Sequence, residues 1–476
     1  MKKLKLLAAL IAAPVLIFAQ QNDTWDLQRC VQYALDNNIS VKQSDVQARL
    51  DALTLKQAKA NQVPTLSFNT QGGYNFGRSV DPTTNQFTTN RVLFQSYNVQ
   101  TGVTLFNFFR VQNDIKSRKL QSEASESDIE RAKSDVTLNV AAAYLQYLLA
   151  KEQVNIAKGQ IELTTNQLGL TRKQVEAGAV PELNAAQLAS QLATDSSTYI
   201  TNVTTMEQNK LQLLALLNLS ADAPFEVSLP DVDKIPLEPI SELQPGELYR
   251  HAVATQYQQR VDSLKLLSAK YAAKSARAAM YPTLSAFGSV GSNYASSFMT
   301  QTGSFPYIDT IGRTTINGQD YYTTAQGQIP VYGKASYSKQ IFDINLSQAV
   351  GISLNIPIFN NRQSRTAWEQ AKLNINNLQL QQAQNNQTLQ QDIYTAYTNA
   401  KSGIEKYNAN TKGESYAQYA YHLAELRYEN GMLSASDYLV AQNNLYTAKI
   451  NQSAARFEYI FRLKVLEFYK FNQIHL

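Results

Sequence analysis

The 476-residue sequence predicts a mixed α and transmembrane β fold, a tandem repeat in which very long helices alternate with short strands. Three observations predict it. Two 70-residue stretches, from Phe108 to Ala177 and from Asn361 to Asn430, hold no proline and very little glycine. Short runs elsewhere alternate apolar with small or polar residues, the pattern of a barrel strand with lipid on one face and water on the other. Finally, 44% of the residues are hydrophobic but only 17% are charged, against roughly 25% in ordinary soluble proteins. The deficit is filled by Asn, Gln, Ser, Thr and 27 Tyr, a surface polar without being ionic.

The chain opens with Lys2, Lys3 and Lys5, an apolar run from Leu6 to Phe18, and Ala19 before Gln20. Residues 1–19 therefore read as a secretory signal peptide. The run is too short for a spanning helix of about 20 residues, and it contains Pro14. Ile17 makes the cleavage position after Ala19 imperfect. Later in the chain no run is long and apolar enough to span, so an exported chain crosses a membrane only by strands. Removal of the three lysines leaves 40 basic against 38 acidic residues, a net charge of +2 rather than +5. These scattered charges argue against a nucleic-acid partner. One cysteine, Cys30, excludes an internal disulfide and is expected to pack as a small apolar residue; His251, His422 and His475 have no metal-ligand spacing. No cofactor, metal, Walker A loop or catalytic constellation is indicated, so an exported enzyme is the least supported class.

Two copies of one unit follow. The segment from Cys30 aligns without a gap on that from Leu248, Ala34 on Ala252 and Pro64-Thr-Leu-Ser on Pro282-Thr-Leu-Ser, at an offset of 218. Leu105-Phe106-Asn107 aligns on Ile358-Phe359-Asn360, Tyr144 on Tyr397 and Gly178 on Gly431, at an offset of 253. The second copy is thus 35 residues longer, between about Tyr294 and Ile344. The expected organisation is a first repeat at 20–218, a Pro-rich and acidic linker at 219–247 and a second repeat at 248–476.

Within each repeat the elements follow in order. A helix of about 35 to 40 residues, with apolar positions such as Val31, Leu35, Ile39, Val46, Leu50 and Leu53, runs up to the proline. Two strands come next, within 65–107 and 283–360, the clearest at Val99–Leu105 and Val350–Ile358. The 294–344 segment is an enlarged loop between the second pair. Flanking aromatics such as Phe106, Phe108, Phe109 and Phe359 fit interfacial girdles or simple packing. Four strands are too few to close a barrel of about eight or more, so several copies must share one. The long helix stops at Gly178 or Gly431, and a returning helix runs to about Leu217 or Tyr469. The returning helix and the helix before the proline together match the long helix, giving an antiparallel coiled-coil unit. Its many amides, as in Asn376–Gln387, suit either a solvated face or the wall of a water-filled duct.

Ala34-Leu-Asp-Asn-Asn38, the two Pro-Thr-Leu-Ser motifs, Leu105-Phe-Asn, Pro357-Ile-Phe-Asn-Asn-Arg362 and the hairpins 172–187 and 427–442 resemble, in order and spacing, the TolC-like outer-membrane efflux proteins. The resemblance covers essentially the whole mature chain. It implies a homotrimer with a 12-stranded β-barrel, four strands per chain, continuous with a long α-helical periplasmic tunnel, and the linker in an equatorial belt. It also implies the function: the outer-membrane exit duct of a tripartite efflux pump in a Gram-negative bacterium. The partners implied are two further copies, a periplasmic adaptor, an inner-membrane transporter of the RND or ABC type, and outer-membrane lipid. Type I protein secretion or metal-ion export remain alternatives, and a periplasmic coiled-coil scaffold and a passive porin stay open.

The resemblance further places a channel gate at Tyr428 and Asp437, which match the family. Asn184, Val440 and Leu433 stand where the family has two aspartates and an arginine. One ring of carboxylates instead of two then lines the constriction, which weakens cation selectivity. Asp437 also suits a helix N-terminal cap. The hairpin tips, Gly178, Ala179, Val180, Gly431, Met432 and Leu433, are the implied adaptor contacts, besides turning the chain.

Overall fold

The structure, a computed structural model, describes residues 24–80, 85–89, 91–228 and 237–471. The leader, its cleavage position, His475 and residues 229–236 of the linker lie outside them. The first half runs β1 (Thr24–Trp25), α1 (Leu27–Asn37), α2 (Ile39–Ala60), β2 (Thr65–Asn75), β3 (Ser79–Val80), β4 (Phe87–Thr88), β5 (Val92–Phe106), α3 (Arg110–Glu176), α4 (Glu182–Leu217) and β6 (Glu226–Val227). The second half runs α5 (Pro245–Thr255), α6 (Tyr257–Ala278), β7 (Thr283–Ala295), β8 (Met299–Ile316), β9 (Gln319–Lys334), the one-turn α7 (Tyr337–Lys339), β10 (Ser347–Asn355), α8 (Gln363–Glu429) and α9 (Ala435–Phe471). The four main helices have 11, 22, 67 and 36 residues in the first half and 11, 22, 67 and 37 in the second. The linker expected at 219–247 ends earlier, because Pro245 already begins α5 at a position that needs no N–H donor.

The helix before each proline is broken, contrary to the single helix expected. Asn38 (ψ 135°) and Gln256 (ψ 133°) leave the helical region. The Asn38 amide compensates by donating to the Leu216 carbonyl at 2.8 Å, and its Oδ1 accepts the Ser40 N–H at 2.9 Å, which caps α2. Apolar spacing continues through the break, so periodicity does not register it. Along α2 the stripe Ile39, Val46, Leu50 and Leu53 stays exposed in the single chain, whereas Leu27, Cys30 and Ala34 of α1 are buried.

The chain divides into two compact units. In the first, formed by the described residues of 1–51, 121–265 and 377–476, two apolar cores repeat the same plan. Ala34 and Tyr144 pack with Leu213, Leu217 and Phe225 in one core, and Ala252 packs with Ile393, Ala396 and Leu463 in the other. The aligned alanines Ala34 and Ala252 are both fully buried. The Tyr144 hydroxyl donates to the Ser228 carbonyl at 3.0 Å, so the buried phenol is satisfied.

The second unit, residues 52–120 and 266–376, holds an antiparallel sheet in the order β10-β7-β5-β2. Its register puts Phe68, Val99 and Val290 in one row and Ile352, Ala286 and Val103 in another, all on one face. Ser67, Gln100 and Ser289 form a row on the opposite face. Val350 is 90% exposed, so the apolar face meets nothing in the single chain. At Gly351 a Cβ would come within 2.8 Å of the Phe287 ring, so any larger residue there must displace that ring. The alternation expected to reach Ile358 stops at Asn355, because Pro357 has no N–H for the ladder. Among the described residues no strand pairs with the outer edge of β2 or β10.

The 294–344 segment is not an irregular loop. Residues 299–334 are a long two-stranded hairpin, β8 on β9, turning at Asn317 (φ 53°) and Gly318 (φ 80°), the left-handed pair of a type I′ turn. Each long helix also starts with an unannounced device. Phe108 and Phe109 have φ of 52° and 62°, and Asn361 and Arg362, at the same offset of 253, have 53° and 61°. Two consecutive left-handed residues without glycine are sterically costly, and both copies keep them where strand turns into helix.

Candidate gate at the helix hairpins

Both hairpins turn with one backbone geometry. Gly178 and Gly431 each have φ of 69°. The Gly178 N–H donates to the Val175 carbonyl at 2.9 Å and the Ala179 N–H to that of Gln174 at 2.8 Å; Gly431 to Tyr428 (3.0 Å) and Met432 to Arg427 (2.8 Å) repeat this. These paired bonds form a Schellman motif, which closes the last helical turn through a left-handed residue. A Cβ at either glycine would touch nothing within 4 Å, so a larger residue there costs backbone strain rather than a clash. Ala179 and Met432 are exposed, and Val180 is half-buried.

The helices restart differently. Pro181 precedes α4 and offers no side-chain cap. Before α9, Ser434 Oγ accepts the Asp437 N–H at 3.1 Å and donates to Asp437 Oδ2 at 2.7 Å. The cap residue is therefore Ser434, and Asp437 is its partner three residues later, a correction to the expected role of Asp437 as the cap itself. Asp437 remains exposed, as does Val440. Asn184 is half-buried, its N–H bonded to the Pro181 carbonyl.

Tyr428 and Leu433 are brought together in a cluster around the buried Tyr421, Tyr438 and Leu445. The Tyr428 ring stacks on Tyr438 at 4.7 Å between centroids. The Tyr421 and Tyr438 hydroxyls lie 2.9 Å apart, and Tyr421 also donates to Glu425 Oε1 at 3.0 Å. Burial raises both phenols above the ordinary tyrosine value, and for Tyr421 the hydroxyl bond to Tyr438 adds to it. A 3.3 Å contact between the Tyr428 hydroxyl and Thr171 Oγ1 ties α8 to α3. Sequence reasoning missed Tyr421 and Tyr438, although Tyr421, Tyr428 and Tyr438 follow one another at seven and ten residues, a spacing compatible with one packed seam.

Above the tyrosines lies a buried polar network, also missed. Asp195, buried, accepts from Thr164 Oγ1 at 2.7 Å and from Gln191 Nε2 at 2.8 Å. Gln442 donates to Thr164 at 3.1 Å, and the Gln191 and Asn443 amides exchange two bonds of 3.2 Å. Three helices, α3, α4 and α9, are thus joined by hydroxyls and amides. These amides are interior bonds, whereas the Asn376–Gln387 stretch is mostly exposed.

The sequence model of the family described as outer membrane efflux protein matches residues 30–219 and 260–463. The chain belongs to that family. Membership assigns it to the outer membrane and to a set of proteins that act as transport ducts. It is 25% identical to the outer membrane protein TolC of Escherichia coli (strain K12) over 161 residues, which span 34% of this chain and 31% of TolC. A membrane protein from Pseudomonas aeruginosa superposes with a TM-score of 0.73 at 19% identity, covering 93% of this chain and 91% of the other. The Campylobacter jejuni CmeC outer membrane channel gives 0.71 at 18% identity, covering 93% and 84%. At such identities these likenesses establish the efflux-protein fold: long helices combined with a four-stranded sheet. Among the described residues no helix is long and apolar enough to cross a membrane.

Proposed function

We propose that the chain is the outer-membrane channel of a tripartite efflux pump, a homotrimer that lets small molecules exit without performing a reaction of its own. The observation that carries this reading is the four-stranded sheet, apolar and exposed on one face, polar on the other, with both edges unpaired among the described residues. A long unpaired edge invites strand addition, and only closure removes it in lipid. Three copies placing β2 beside β10 of a neighbour make a 12-stranded barrel, inside the known size range. The repeats at 20–218 and 248–476 supply the helical rails of a periplasmic tunnel. The linker at 219–247 contributes to its equatorial belt, and the 294–344 insertion faces the cell exterior.

The second hairpin is the gate. Tyr428 and Leu433, held by the tyrosine cluster, and the exposed Asp437 and Val440, with Asn184 from the first hairpin, line the constriction. Three copies of Asp437 form one carboxylate ring. The tips Gly178, Ala179, Val180, Gly431, Met432 and Leu433 meet a periplasmic adaptor, which connects to an RND-type or ABC-type transporter that supplies the energy. Lipid-bilayer recording tests the reading: the purified protein should form channels with a modest cation preference that Asp437→Asn reduces. An unchanged reversal potential removes Asp437 from the constriction, and absence of channels removes the duct.

A further inference from the structure

Where the break at Gln256 separates α5 from α6, a cleft of about 250 Å³ opens within the helical unit, walled by α3, the start of α6, α8 and the end of α9. Three kinds of group converge on it. Aromatic rings come from Tyr257, Phe468 and Tyr469. Carboxylates come from Asp135 and Asp392. The third is Gln259, nine-tenths buried, whose side-chain amide lines the cleft and makes no hydrogen bond with any described residue. An amide that faces a cleft without a protein partner has its donors and its acceptor free for whatever enters.

The charge around the cleft is unbalanced. Arg131 is shared between Asp128 and Asp135, at 2.8 Å from each, and also feels Asp262, which accepts from Gln258 and Asn385 at 2.7 Å each. Asp392 forms no ion pair or hydrogen bond among the described residues. Its charge, after burial itself, helps push the Tyr469 hydroxyl up to about 12. Three carboxylates thus act on one guanidinium, and Asp392 adds a fourth acid to the cleft region. Burial also raises Asp135, the direction an incoming cation would reverse.

We propose that this cleft binds a small organic ammonium ion with an aromatic or apolar body: the cation sits between Asp392 and Asp135, the body lies against Tyr257, Phe468 and Tyr469, and the Gln259 carbonyl accepts an ammonium hydrogen. Aromatic faces and carboxylates attract such a cation together, and neither requires a metal. The neighbouring cleft beside α2 shows why the aromatic wall is confined to this cleft. It shares Arg131 and Asp135, but Ser40, Gln43, Ser44 and Gln47 replace the aromatic wall, so it offers no surface to an apolar body.

The test is calorimetric titration of the purified full-length protein in detergent with phenethylammonium, and with phenylacetate as the oppositely charged analogue. Saturable binding of phenethylammonium alone is expected, weakening as salt rises. Asp392→Asn and Gln259→Leu should each lower affinity about tenfold, the loss of one hydrogen bond to a charged group. Asp392 is exposed, so its variant tests charge without touching the core. No saturable binding up to millimolar amine, equal binding of phenylacetate, or affinity unchanged in both variants would overturn the proposal. Channel conductance is measured separately and does not enter this test.

Discussion

The two helix hairpins share a turn but not a filling. Gly178 and Gly431 have one φ and the same pair of capping bonds. Across the 253-residue offset, however, Tyr421, Tyr428 and Tyr438 of the second hairpin fall on Leu168, Val175 and Ala185 of the first, and Ser434 and Asp437 on Pro181 and Asn184. The first hairpin carries aliphatic side chains at these positions and a proline that fixes its own backbone. The second is closed by stacked phenols, hydroxyl bonds and a reciprocal cap. Aliphatic packing weakens gradually as neighbours shift, whereas directional bonds break at defined points. The two hairpins should therefore differ in how they respond to loss of hydroxyl bonds.

The largest effect that separates them is alkaline. Because Tyr421 and Tyr438 titrate higher when folded, the stability they contribute is complete below the unfolded phenol value of about 10 and falls as pH rises through it towards their raised folded values. Hydrogen exchange above pH 10 should open 421–445 before 163–188; simultaneous opening would mean the hairpins are one cooperative unit. Next, Tyr438→Ala removes the Tyr428 stack and the Tyr421 bond, and should loosen the second hairpin by about 3 kcal/mol, read as faster protease cleavage there and not near Gly178. Asp195→Ala should cost about 2 kcal/mol by leaving the Thr164 hydroxyl without its acceptor and Gln191 with only Asn443. Since the network joins α3, α4 and α9, exchange protection should fall in both hairpins, unlike the tyrosine variant. The smallest effect is at the caps. Ser434→Ala should cost about 1 kcal/mol, while Pro181→Ala, which deletes no bond, should cost about 0.5 kcal/mol through the unfolded chain; equal losses in thermal unfolding would erase the distinction.

Most of the frame was legible because it rests on local signals. Proline and glycine bound the long helices to within two residues, and the alternation in β5 and β10 located the sheet. The breaks at Asn38 and Gln256 were hidden, since apolar spacing runs through them and the compensating bond to Leu216 spans 178 residues. The β8–β9 hairpin could have been read from Asn317-Gly318, a strong turn signal, but the Gly- and Thr-rich strands lack a continuous apolar face. At the candidate gate, alignment with a family pattern pointed to Tyr428 and Asp437, and to Leu433 at the family's arginine position. The partners Tyr421, Tyr438 and Thr171 depend on contacts between distant helices, and composition gave no way to tell a buried amide such as Gln442 from a solvated one.

The central claim is that the sheet closes only between chains. In cells whose native Cys30 is replaced by alanine, Ser67→Cys on β2 and Ser353→Cys on β10 can be joined with a short bifunctional thiol reagent in the intact outer membrane. The account predicts a ladder of covalent dimers and trimers on denaturing gels. Bridges confined to single chains, closing β2 on β10 of the same molecule, would contradict it.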